Sequence, residues 1–124
     1  MAGVMRVLVG LIGVFNIAIG LGFLLDPGKL AGQFFLSPMG QQGMATLRAD
    51  FPGFFLTGGV FALIGASKKD GNALLVPLLL LSIAIVGRAV SLVLDGTAPT
   101  AWPPMIAEAV MIAALLLARR SFTR

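Results

Sequence analysis

The sequence predicts an all-α protein: a bundle of four transmembrane helices, with a short interfacial helix in the first loop. Three observations carry this expectation. The chain is 58% hydrophobic and 11% charged, with a mean hydropathy of +1.01, far outside the soluble range. Its apolar residues fall into four stretches, each long enough for a hydrocarbon core of about 30 Å, divided by breaks rich in Pro, Gly, Asp and Lys. Small residues recur at helical spacing, as in Gly10, Gly13 and Gly20 with Ile17 among them, and Gly58, Ala62 and Gly65. Such stripes let membrane helices approach closely, either within one chain or in a homo-oligomer docked through its glycine faces. The 124 residues leave no room for a separate soluble unit, so 1–124 reads as one integral membrane domain.

The first span covers residues 7–25, preceded by Arg6 and ended by Asp26-Pro27. As a signal peptide its apolar region is too long and lacks a small-x-small cleavage site, so it reads as a mature helix. Asn16 lies near mid-depth, where an interhelical hydrogen bond or a ligand contact would satisfy it. Residues 26–47 form the one long connection. Asp26 and Pro27 suit an N-cap and a first-turn proline, followed by an interfacial helix over 29–36 with Phe34, Phe35 and Leu36 on its apolar side. A loop of this length serves as a lid or as a plain connector.

The second span runs over 48–67 and opens with two geometries available. Either Asp50 is an N-cap and Pro52 sits in the first turn, or the helix begins near Gln42 and Pro52 is an interior kink. A polar turn, Lys68-Lys69-Asp70-Gly71-Asn72, leads to the third span, which begins near Ala73 with Pro77 close to its start. The next break runs from Asp95 through Gly96 and Thr97 to Ala101. Trp102-Pro103-Pro104 then opens the fourth span, with an interfacial anchor and two prolines suited to a helix start. Glu108 lies about one turn inside it, and Arg119-Arg120 ends it.

Basic residues orient the four spans. Arg6, Lys68, Lys69, Arg119, Arg120 and Arg124 fall on one side, against Lys29 and Arg48 on the other. By the positive-inside rule both termini face the cytoplasm of an inner membrane. The same placement explains the +4 net charge without nucleic acid. Absence of Cys, His and Tyr removes thiol chemistry, the common zinc, copper and haem ligands and phenolic acid chemistry, so neither a metal nor a cofactor is expected.

The remaining chemistry gathers in one half of the predicted bundle. In the stretch 87–96, Arg88, Ser91 and Asp95 share a helix face at i, i+3 and i+7. Counted at 1.5 Å per residue, Arg88 and Glu108 lie about 10 Å and 7 Å from the outer ends of their spans, with Arg48 and Asp50 at the outer start of span two. Charges inside a membrane span are costly and mark functional or partner-binding sites. Arg48, Arg88 and Glu108 could therefore converge beneath the long loop, with Asp50, Ser91, Asp95 and Asn16 as further polar contacts. The alternative is a purely structural ion-pair network, an expensive choice because desolvation can exceed the Coulomb gain.

Arg48-x-Asp50-Phe51-x-Gly53-Phe54-Phe55, then Gly87-Arg88-x-x-Ser91-Leu92-x-x-Asp95-Gly96, then the lone Glu108 resemble a family of small bacterial four-helix integral membrane proteins known as a domain of unknown function. The likeness covers nearly the whole chain. Pro52-Gly53 stands where that family is expected to carry paired glycines. The resemblance implies fold and membrane location, and no reaction.

Three function classes follow. The first is a pocket for a membrane lipid or other lipophilic molecule with a polar or anionic head; as an enzyme, it would use Glu108 or Asp50 as acid or base and Arg88 to hold developing negative charge. The second is a small ion-coupled transporter or channel, although no charged path reaches the inner half. The third is a non-catalytic accessory subunit.

Overall fold

A computed structural model describes residues 1–96 and 98–122. Thr97 and Arg124 lie outside the described residues. Within them the chain forms α1 (Ala2–Leu25), α2 (Pro27–Gln33), α3 (Gly40–Lys68), α4 (Leu75–Leu94), a 3-10 turn (Pro99–Ala101) and α5 (Trp102–Phe122), with no strand. α1, α3, α4 and the stretch Pro99–Phe122 are each long and apolar enough to cross a membrane. α1 packs on α3 and α5, and α4 on the same two, so the four helices close a ring; α2 lies against α1 and α3 at one end. Leu11, Val14, Leu79, Ile83, Val86, Val110 and Leu116 point outward, as they would in a multi-pass membrane protein surrounded by lipid.

The seam between α1 and α3 depends on glycine. A Cβ on Gly59 would stand 2.8 Å from the Gly13 carbonyl oxygen, and one on Gly13 would stand 3.0 Å from that of Gly59. The two backbones therefore touch, and no side chain fits between them. Gly20 admits Leu56 in the same seam, while Gly58 and Gly65 face Leu80 and Leu74 from the α4 side. The small-residue faces are thus used within the chain. Gly10 is the exception, with nothing within 4 Å of its absent Cβ.

Helix ends follow local chemistry. The Asp26 side chain accepts from the Lys29 N–H at 3.4 Å, with Pro27 at the first helical position. α2 stops at Gln33, three residues short of the expected end. Phe35 adopts a left-handed φ of 61° and the Leu36 N–H returns to the Ala31 carbonyl, reversing the chain. At the opposite end Lys69 is left-handed (φ 52°). There Arg6 donates from Nε to the Ala66 carbonyl at 2.7 Å and from Nη2 to that of Ser67 at 2.9 Å, placing a cation on the carbonyl end of α3.

Of the two geometries open at the second span, the chain adopts the longer. α3 begins at Gly40, well before Pro52, and continues through it. Asp50 is therefore interior to the helix and caps nothing. Pro52 has no N–H to offer the Arg48 carbonyl four residues back. One core, at the end away from α2, includes Val9, Ala62, Leu74, Leu78, Leu115 and Phe122. A second core at the α2 end holds Phe23, Ala31 and Leu47, with Phe34, Phe51 and Phe55 packed against it.

Candidate functional site

α4 and α5 are consecutive helices joined by a short break, so residues at matching distances from that break come level. Arg88 and Glu108 are such a pair. The Arg88 Nε donates to both Glu108 carboxylate oxygens at 3.0 Å. The Glu108 side chain keeps 11% of its surface, whereas that of Arg88 keeps 39%. Among the described residues the two terminal nitrogens of Arg88 have no hydrogen-bond partner, so its unused donors sit on the more open side of the pair.

Arg88 borders three neighbouring cavities. The first, ≈ 280 Å³, is lined by Phe34, Phe51, Phe54 and Phe55, with Asp50, Ala84, Arg88 and Glu108 completing its wall. The second, ≈ 520 Å³, lies between the Phe34–Leu36 reversal and Thr100, Pro103 and Pro104. A third, ≈ 270 Å³, runs past Ser91, Leu92, Thr100 and Met105. These volumes fall near the lower part of the range typical of small-molecule sites, roughly 300–1,000 Å³.

The aromatic wall has its own support. Phe23, fully buried on α1, meets Phe34, Phe51 and Phe55 at ring-centroid distances of 5.2, 4.7 and 6.0 Å. Phe54 and Phe55 meet edge to face at 5.0 Å. Mutual ring packing holds these side chains in place. α3 supplies three of them at i, i+3 and i+4, one face of a continuous helix. That stripe was available in the sequence once the helix was known to run through Pro52, but an apolar membrane segment offers no means of telling a cavity wall from a lipid-facing one.

The other predicted site residues are distributed as follows. Asp50 is exposed, lines the first cavity and makes no ion pair or hydrogen bond among the described residues. Ser91 lines the third cavity and donates to Asp95 at 2.7 Å; Asp95 itself lines none of the three cavities. Arg48 reaches across to the Leu24 carbonyl at the end of α1, satisfying a helix-end acceptor, and does not join Arg88 and Glu108. Buried Asn16 donates to the Ile12 carbonyl at 2.8 Å and approaches the Met111 sulfur at 3.8 Å, tying α1 to α5.

Fold and site together define a multi-pass four-helix membrane protein with a charged pair opening on an aromatic cavity near one end of the bundle. The chain belongs to the DUF4345 family, a domain of unknown function, whose family model matches residues 4–119. The Arg-x-Asp, Gly-Arg and Glu108 motifs all lie inside that stretch. No curated protein and no solved structure matches the chain.

Proposed function

We propose that this protein holds a lipophilic or amphipathic small molecule, or a lipid, with its polar head at Arg88, Glu108 and Asp50 and its apolar part against the phenylalanines. One observation carries the reading: a salt bridge with unused donors opens on a ≈ 280 Å³ cavity walled by four Phe side chains. A pair that served only to hold α4 on α5 would gain little over apolar packing and would need neither the cavity nor the open donors. Ser91 extends the polar surface, while Arg48, Asn16 and Asp95 support the frame. If the bound molecule is transformed, Asp50 is the better placed base, because both oxygens of Glu108 are engaged by Arg88.

The proposed setting is a bacterial inner membrane, both termini cytoplasmic and the site in the outer half. The basic clustering of Arg6, Lys68, Lys69, Arg119 and Arg120 at the end opposite α2 supports it. The pocket is tested by native mass spectrometry of gently purified wild type, Arg88→Ala and Glu108→Gln, with identification of retained molecules. A stoichiometric molecule in the wild type, its retained amount altered in both variants, is the expected result. Absence of any retained molecule, with all three proteins folded, would turn the reading toward an accessory subunit.

A further inference from the structure

We infer that the head group taken by this cavity is a cation: the ligand is a hydrophobic monocation, such as an aryl- or alkyl-substituted ammonium, its charge set against Asp50 and its apolar body among Phe34, Phe51, Phe54 and Phe55. The inference rests on the pocket reading above and adds the sign of the charge. In the sequence alone Arg88 suggests an anion receptor. The geometry reverses that preference. Three ionisable groups line the first cavity, one cationic and two anionic, so its formal charge is −1. The one cation is already committed, its Nε shared between both oxygens of a carboxylate whose side chain is 11% exposed.

An anion has two ways in, and both are costly. It could draw Arg88 away from Glu108, leaving a buried carboxylate unpaired. Otherwise it could share the remaining donors of Arg88 while lying beside two carboxylates, and Asp50 has no partner among the described residues. Arg48, the nearest other cation in sequence, is held on the Leu24 carbonyl and lines none of the three cavities. A cation meets neither obstacle. Asp50 supplies the countercharge, and the negative faces of aromatic rings attract a positive head whose substituents are apolar.

The test uses three probes of similar shape and different charge: benzyltrimethylammonium, its neutral carbon isostere neopentylbenzene, and phenylmethanesulfonate. Binding to the full chain in nanodiscs of zwitterionic lipid is measured by saturation-transfer NMR and calorimetry. The cation is expected to bind about tenfold more tightly than either of the others, a preference within the reach of a cation–aromatic contact with a countercharge. Asp50→Asn should abolish the preference and Asp50→Glu restore it. Asp70→Asn, which alters a carboxylate in the turn at the opposite end of the bundle, should leave it intact. A tighter sulfonate, dependent on Arg88, would overturn the cation and leave the pocket standing. An ammonium preference unchanged in Asp50→Asn would overturn the assigned countercharge. Failure of all three probes to bind would remove the pocket itself.

Discussion

Arg88 and Glu108 occupy unlike surroundings, so removing one is not equivalent to removing the other. Arg88→Ala leaves the more buried carboxylate without its donor, and should cost about 1–3 kcal/mol of stability, less than the roughly 3–5 kcal/mol of a fully buried pair because the arginine is partly open. Thermal unfolding in detergent reads this directly. Replacing both by Leu removes the desolvation problem, and the double variant should unfold at or above the wild-type temperature. With the polar contacts of the pair gone from the cavity wall, it should hold its small molecule less well than wild type. A double variant that still carries its molecule at wild-type stoichiometry would show that the pair is only structural.

At the scale of helices, the α1–α3 seam makes the sharpest prediction. Gly59→Ala places a methyl 2.6 Å from the Ile17 Cγ1 and 2.8 Å from the Gly13 carbonyl oxygen, and backbone cannot rotate out of the way as a side chain can. A loss of about 1–3 kcal/mol is expected. Gly10→Ala, on α1 and facing open space, should stay within about 0.5 kcal/mol of wild type. Equilibrium unfolding of the two variants side by side tests whether close approach, rather than glycine content, sustains the bundle. The four spans were legible because apolar runs bounded by Asp-Pro, Lys-Lys and Trp-Pro-Pro admit few other readings. The start of α3 was not. Pro52 is equally acceptable in a first turn and as an interior kink, and only packing of residues 40–51 beside α2 and the end of α1 decides between them. Arg88 opposite Glu108 could be read by counting residues from the α4–α5 break. The capture of Arg48 by the Leu24 carbonyl could not, since an arginine's reach across helices depends on an approach that the one-dimensional pattern does not encode.

For the molecule as a whole, the distribution of basic residues predicts which end meets which compartment. The chain contains no cysteine, so single substitutions report without background. In intact spheroplasts a membrane-impermeant maleimide should label Ser37→Cys, in the α2–α3 connection, and leave Ser121→Cys unlabelled until the membrane is broken. The reverse pattern would invert the proposed orientation and move the site to the cytoplasmic half.

The position of the charged pair on α4 and α5 also bears on how such a chain is made. A protein delivered to the bilayer from its amino end presents α1, α2 and α3 first, and with them every phenylalanine of the cavity wall. Arg88 and Glu108 follow on adjacent helices. Entering as one helical hairpin, they would neutralise each other before either faced lipid alone, so these two charges would travel with their own countercharge. A charge-reversed protein, Arg88→Glu with Glu108→Arg, would keep that advantage, whereas either reversal alone would load the translocon with two like charges and should lower the yield of inserted protein.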